Sequence, residues 1–349
     1  MLDVYFFEAF AEEADWLRRL LPGRLRADFT WKTVQEAAFA EPPARLVSLR
    51  TQSTLPAAWR GKVDAVLSRT TGHDHIARNL RALGDEVPCG YLPLYCSRAV
   101  AEQALLLWLA LLRKLPQQIA NFPRFDRNGL TGSECAGKTL VVVGVGNIGA
   151  QVVRIGLGLG MRAIGVDLVP KHDWVRYADS EEALPQADVV VCCMNLTSEN
   201  AGYFDEARLR QMRAGAVFVN VARGELSPSS ALLAVLEAGH LGAAALDVYD
   251  HESELAVALR AGRESADGEV RAALALARHP RAILTPHNAF NTVEAVERKA
   301  AQAVQQVEAF LQTGAFVWPV PREAADPGRA EAGPRSHPAS RPTNGEGEA

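Results

Sequence analysis

The run Thr139-Leu140-Val141-Val142-Val143-Gly144-Val145-Gly146-Asn147-Ile148-Gly149 decides how the chain is read. Its apolar half reads as a buried strand, and three glycines turn that strand into a helix. Asp167 closes the next apolar run, residues 161–166, eighteen residues after Gly149. A strand, a G-x-G-x-x-G turn, a helix, a strand and a terminal acid form a dinucleotide-binding unit. Gly144 permits the tight turn, Gly146 lets backbone amides approach a pyrophosphate, and Gly149 lets the helix pack closely on the strand. Free N–H groups at the helix N-terminus, near Asn147 and Ile148, face the phosphates. Asp167 can accept hydrogen bonds from both adenosine ribose hydroxyls and repels a 2′-phosphate, which favours NAD(H) over NADP(H). The competing reading is an ordinary α/β turn whose glycines serve packing alone.

Outward from this unit the pattern repeats. Apolar runs at 140–143, 163–166, 189–193, 217–221, 243–246 and 282–284 read as strands, with helices between them that include 147–159, 180–184, 204–210 and 229–238. Such alternation implies a parallel, doubly wound sheet. Residues 1–96 carry shorter alternations, with candidate strands at 3–7, 45–49 and 65–68 and helix-bearing connections at 8–21 and 53–61. A long helix is expected over 97–115; its apolar residues wrap most of the way round, which predicts burial between two bodies. The last long helix, 292–313, is expected to cross back to the first body. Residues 320–349 are rich in Pro, Gly, Arg, Glu and Ser. They cannot bury enough surface to offset their ordering entropy, so disorder is expected there.

A length of 349 residues allows two domains, each with its own core. A hydrophobic content of 48% with 22% charged residues places the chain among ordinary globular proteins. A net charge of −4 leaves no basic footprint for nucleic acid. The five cysteines, Cys89, Cys96, Cys135, Cys192 and Cys193, show no zinc spacing. Their odd number and the lack of a secretory leader suit a cytoplasmic protein. No apolar run reaches the length of a membrane span, so no membrane partner is expected.

Three segments after the glycine loop place ionisable residues at strand ends, where a doubly wound sheet forms its ligand crevice. Arg223, in Val219-Asn220-Val221-Ala222-Arg223-Gly224, can hold a carboxylate by two parallel hydrogen bonds. Asp247 and Glu252 lie in Leu246-Asp247-Val248-Tyr249-Asp250-His251-Glu252, and His287 follows in Thr285-Pro286-His287. Singly, each has a bland reading: a surface ion-pair partner, a solvated acid, a loop histidine. His73-Asp74-His75 suggests a metal pair, but no third ligand lies nearby in sequence, and no metal is expected.

Taken in order, these motifs resemble the D-isomer-specific 2-hydroxyacid dehydrogenases. Leu67-Ser68-Arg69-Thr70-Thr71-Gly72-His73-Asp74-His75-Ile76 resembles the substrate loop of that family, and Ala99-Val100-Ala101-Glu102-Gln103 the start of its interdomain helix. The resemblance covers about residues 45–315. It implies an NAD-binding Rossmann domain (97–290) inserted in a smaller flavodoxin-like substrate domain (1–96), with 291–319 returning to the latter. It also implies a homodimer, with the interdomain helix at the interface. The implied chemistry is reversible hydride transfer between NADH and a small 2-oxo acid. Arg223 would bind the substrate carboxylate and His287 would give a proton to the carbonyl oxygen. Glu252 would orient the imidazole and stabilise imidazolium. Backbone N–H groups near Thr71 and Gly72 would add donors to the carboxylate, and Asp247 would hold the nicotinamide carboxamide. Tyr95 and Phe290 match substrate-pocket residues of the D-lactate dehydrogenase branch, although core packing would equally explain them.

Some segments depart from the family pattern. Leu92-Pro93-Leu94-Tyr95-Cys96-Ser97 and Met194-Asn195-Leu196-Thr197 differ from the usual forms, and the 35-residue gap from Glu252 to His287 is long. The charged stretch 260–278 within it is expected to form a helix near the site mouth or a partner contact. These departures put substrate identity in doubt, with side-chain specificity expected from 50–53, Tyr95 and Phe290. The rival reading is an NAD(H)-sensing, corepressor-like protein with little turnover, because some corepressors retain the same residue trio. Formate or phosphite oxidation is less suited, since formate enzymes of this fold usually pair the histidine with glutamine, where this chain has Glu252.

Overall fold

The computed structural model describes residues 2–84 and 86–321, apart from the side chains of Ala77 and Arg78. Residues 322–349, which hold most of the segment expected to be disordered, lie outside the described residues. In chain order the first body contains β1 (Leu2–Phe6), α1 (Ala11–Leu20), β2 (Ala27–Phe29), α2 (Val34–Ala37), β3 (Ala44–Leu49), β4 (Ala65–Ser68), α3 (Asp74–Leu83) and β5 (Cys89–Gly90). Its strands form a parallel sheet of order β2-β1-β3-β4-β5. That order reverses direction between β1 and β3, the flavodoxin-like arrangement.

Two helices follow, α4 (Ser97–Leu112) and α5 (Leu115–Asn121). The expected single helix over 97–115 is broken because Lys114 adopts φ +53° and caps α5 from the left-handed region. The second body contains β6 (Thr139–Val143), α6 (Asn147–Gly158), β7 (Arg162–Val166), α7 (Ser180–Ala183), β8 (Val189–Cys192), α8 (Glu206–Gln211), β9 (Val217–Asn220), α9 (Ser229–Glu237), β10 (Ala243–Leu246), α10 (Glu252–Ala261), α11 (Gly268–Leu276) and β11 (Ala282–Leu284). Its sheet is parallel throughout, with order β11-β10-β9-β8-β6-β7 and a reversal between β6 and β8. Strands β6, β8 and β9 are buried along their whole length, as parallel strands covered on both faces must be. The charged stretch 260–278 contributes the end of α10 and all of α11, which packs on α9.

The final helix α12 (Val293–Thr313) packs along α1 and touches β4. After it, Pro319 bridges to Gly90, and the Trp318 carbonyl accepts the Tyr91 N–H at 3.1 Å. Residues 1–319 thus form one compact unit built around two sheets. Helix α4 packs on α6, β9 and β10 of the second body and leaves Leu106 and Leu109 exposed, so its all-round apolar pattern does not come from burial between the two bodies. Among the described residues no helix is long and apolar enough to cross a membrane.

Candidate active site

The loop from β6 into α6 has the backbone that the glycine pattern requires. Gly144 has φ +90°, and a Cβ there would sit 2.6 Å from the Met194 nitrogen. A Cβ on Gly149 would meet the Gly144 carbonyl oxygen at 2.0 Å, so helix and strand approach as closely as a hydrogen atom allows. At Gly146 a Cβ would meet nothing within 4 Å; the loop opens there onto space. No side chain caps α6, so its first amides, from Asn147 and Ile148 onward, remain donors for an anion. Asp167, just past β7, accepts the Val145 N–H at 2.6 Å and the Val169 N–H at 3.1 Å, which fixes its carboxylate beside this loop. The loop is therefore a cradle with an acid at its rim, and it fits a dinucleotide.

Next to the cradle lies a cleft open to solvent. Its walls include Thr71, Gly72, Tyr95, Ile148, Arg223, Asp247, His287 and Phe290, so residues that the sequence places in six separate segments share one cavity. Glu252 stands directly behind His287.

Arg223 follows β9 on a loop stapled by Asn220. The Asn220 side chain donates to the Arg223 carbonyl at 2.8 Å and to Ser227 Oγ at 2.7 Å, and accepts the Ala222 N–H at 2.9 Å. The Arg223 guanidinium donates from Nε to Asp74 Oδ1 at 2.9 Å and from Nη1 to the Ala222 carbonyl at 2.8 Å. A Cβ on Gly72 would fall 1.6 Å from Arg223 Nη2, so the glycine leaves room for the guanidinium. Burial works to raise the Asp74 carboxyl, but the Arg223 charge and hydrogen bond, with smaller contributions beside them, together hold the group below its usual range. Asp74 is thus a partner of Arg223 that the sequence reading missed. In sequence it stands inside the substrate-loop motif and between the two histidines of the suggested metal pair, with nothing to mark it as a partner of Arg223. That pair is separated here: His73 packs edge-on to Tyr91, and His75 Nε2 lies 2.9 Å from the buried Ser68 Oγ.

His287 Nδ1 lies 2.8 and 2.9 Å from the two Glu252 oxygens, which leaves Nε2 as the ring atom for chemistry. Glu252 is the first residue of α10, where the helix dipole favours its negative charge. His287 itself has φ +50°, a conformation that a non-glycine residue keeps only when its surroundings enforce it. The enforcer is Asp247. Its fully buried carboxylate accepts Thr285 Oγ1–H at 2.5 Å, Asn288 N–H at 2.9 Å and Ala289 N–H at 2.8 Å, clamping both sides of His287. Burial pushes the Asp247 carboxyl upward, and these three donors oppose the shift without cancelling it. The sequence reading gave Asp247 a cofactor contact; bracing of the loop, which depends on distant donors, was not legible.

Tyr95 is buried in the cleft wall, with its ring edge-on to Phe290 at 6.4 Å. Thr71 Oγ1 donates to the Leu92 carbonyl at 3.1 Å, tying the Gly72 loop to the segment that carries Tyr95.

A family model described as "D-isomer specific 2-hydroxyacid dehydrogenase, NAD binding domain" matches residues 105–289. The chain is 32% identical to a D-lactate dehydrogenase of Streptococcus agalactiae over 64% of its own length and 69% of that protein. It is 29% identical to 2-hydroxyacid dehydrogenase homolog 1 of Schizosaccharomyces pombe over 74% and 78% of the two chains. Among solved structures, a D-lactate dehydrogenase from Aquifex aeolicus complexed with NAD and lactic acid superposes with a TM-score of 0.79. It covers 90% of this chain and 98% of that one at 24% identity, a likeness of fold.

Proposed function

The chain belongs to the D-isomer specific 2-hydroxyacid dehydrogenase family, and from that premise we propose that Arg223, Glu252 and His287 carry the reversible reduction of a small 2-oxo acid. The protein is an NAD-dependent oxidoreductase acting on the CH–OH group of D-2-hydroxy acids. When bound, NADH supplies the hydride that reduces the carbonyl carbon. Gly144, Gly146, Asn147, Ile148 and Gly149 would hold its pyrophosphate, and Asp167 its adenosine ribose. A carboxylate has about four lone-pair sites, and the His287 loop uses three of those on Asp247. The remaining one would serve as the acceptor for the nicotinamide carboxamide when the cofactor is bound.

The chain's own groups do the rest. Arg223, oriented by Asp74, binds the substrate carboxylate, together with backbone N–H groups at Thr71 and Gly72. Tyr95 and Phe290 bound the substrate side chain. His287 donates a proton from Nε2 to the carbonyl oxygen, and the Glu252 carboxylate on Nδ1 fixes the ring and stabilises it while it is charged. In the oxidative direction neutral Nε2 takes the proton back.

The observation that carries this reading is the bidentate Glu252–His287 contact in the same cleft as Arg223. A site so completed favours turnover over mere cofactor sensing, and the relatives named above are enzymes. The test is NADH consumption across a panel of 2-oxo acids, with His287→Ala beside it. We expect the variant to lose roughly 10²- to 10⁴-fold in kcat/KM, the usual contribution of a positioned general acid. Equal rates in wild type and variant would remove His287 from the chemistry.

We further propose a homodimer through α4 and the segment after it. Leu106, Leu109, Ile119, Phe122 and Phe125 are all exposed there, a grouping of apolar side chains suited to a partner copy. A cytoplasmic location is proposed on the five free cysteines, four of them buried.

A further inference from the structure

One guanidinium in the cleft wall, that of Arg50, forms no ion pair among the described residues. In the first sheet the strand order reverses between β1 and β3, and open parallel sheets bind ligands at the strand carboxyl ends beside such a reversal. The loops leaving those two strands carry Glu8, Phe10 and Arg50. Glu8, at φ +54°, accepts the N–H groups of Arg50 at 2.9 Å, Gln52 at 3.1 Å and Ser53 at 3.2 Å, so its carboxylate is committed to shaping the Arg50 loop. The Arg50 guanidinium enters the cleft wall 4.6 Å from the Phe290 ring centroid and 5.6 Å from that of Phe10. Its Nε is buried without a hydrogen-bond partner, and no ion pair to Arg50 forms among the described residues.

Behind these rings sits a lysine that burial, helped by the Arg50 charge, pushes down to about 7. Lys299 of α12 is fully buried, 5.3 Å from the Phe10 and Phe290 centroids and 5.9 Å from that of Tyr95. Its Nζ lies 2.8 Å from Glu13, which also receives Arg69 Nε at 2.9 Å. Arg50, Arg69 and Lys299 therefore gather around two carboxylates, Glu8 and Glu13. Glu13 is engaged by Arg69 and Lys299, and Glu8 by backbone. A partly buried guanidinium with no ion pair of its own and no partner for its Nε is unfavourable, and an anionic group entering the cleft relieves it.

We infer that Arg50 forms a second anion subsite, so that the 2-oxo acid reduced here carries a second carboxylate at the far end of its side chain. The inference rests on the cleft being the 2-oxo acid site. Arg223 then takes the carboxylate beside the reacting carbonyl and Arg50 takes the distal one, while Tyr95 and Phe290 flank the methylenes between.

The test uses the full-length protein with NADH and chain-matched acids: oxaloacetate against 2-oxobutyrate, and 2-oxoglutarate against 2-oxopentanoate. The diacid of at least one pair should exceed its partner in kcat/KM by roughly 10- to 100-fold, the weight of a charge-assisted hydrogen-bond pair. Arg50→Gln should collapse that ratio towards one, and Arg50→Lys should restore part of it. Binding is read separately by NADH fluorescence, titrating the NADH-bound protein with D-2-hydroxyglutarate and D-2-hydroxypentanoate. NADH affinity of each variant reports that it is folded. Monoacids or phenylpyruvate turned over as well as the diacids, with a ratio that Arg50→Gln leaves alone, would overturn the subsite and leave the dehydrogenase reading intact. Diacid binding that depends on Arg50, without reduction of any 2-oxo acid, would support the subsite and overturn the dehydrogenase reading. Neither binding nor turnover overturns both.

Discussion

Gly72 has no room for a methyl group. Its hypothetical Cβ lies inside the Arg223 guanidinium, and that guanidinium is also tied to Asp74 two residues further on. Gly72→Ala should therefore displace Arg223 without unfolding the sheet. We expect kcat/KM to fall roughly a hundredfold, comparable to removing one donor from a charged site. The melting temperature should change little; an active Gly72→Ala enzyme would dissociate Arg223 from substrate binding. Asp167 allows a milder change. Asp167→Asn keeps an acceptor for the Val145 N–H but removes the charge that repels a 2′-phosphate. The NADPH to NADH ratio of kcat/KM should rise about tenfold. An unchanged ratio would take Asp167 out of the ribose site.

At the scale of elements, α1, the loop after β4 and α12 are joined by buried charge rather than by apolar contact alone. Burial acts to raise the Glu13 carboxyl, yet Arg69, Lys299 and Arg50 overcome it and hold the group at about 2. Glu13→Gln leaves the buried Arg69 guanidinium short of a partner, while Lys299, pushed down to about 7, can shed its proton; the substitution should cost about 3 kcal/mol at neutral pH, read from urea unfolding. The sign of the pH effect follows from the depressed value. The unfolded chain takes up the proton first as acid is added, so Glu13's contribution is whole above its ordinary value of 4.5 and lost as pH falls towards 2. The gap between wild type and Glu13→Gln should therefore narrow on acidification; a constant gap would assign the effect to packing.

These elements also show what a sequence can and cannot display. The strands of the second sheet are legible because both faces are covered, which turns each into a continuous apolar run. Strands β2 and β5 span only three and two residues, too short for any period to register. The expected helix within 53–61 is a single 3₁₀ turn, Ala57–Trp59. Pro56 pushes the preceding residue towards extended backbone, and Gly61 at φ +72° turns the chain away. The site trio was legible because each member follows its own strand. The Glu13–Arg69–Lys299 cluster was not, since its members come from three elements with no local spacing between them. The bond from Asp74 to Arg223 spans 149 residues and was hidden for the same reason.

For the molecule as a whole, the exposed apolar side chains after α4 give the association prediction. Phe122 is 74% exposed and lies centrally in the run of exposed apolar side chains on which the proposed homodimer rests. Phe122→Glu should sediment as a monomer where the wild type sediments as a dimer. A wild-type monomer at micromolar concentration would refute this interface.

The return of α12 to α1 bears on the order in which the protein is made. Glu13 and Arg69 leave the ribosome well before their partner Lys299, which follows Arg69 by 230 residues (299 − 69), and before the Trp318 carbonyl that receives Tyr91. At about 5–20 residues per second, the nascent first sheet waits on the order of ten seconds or more for the helix that covers it. During that interval the second sheet, contiguous in the chain, can complete itself. The body synthesised first is thus the body finished last, and its uncovered face is the natural client for a chaperone at the ribosomal exit.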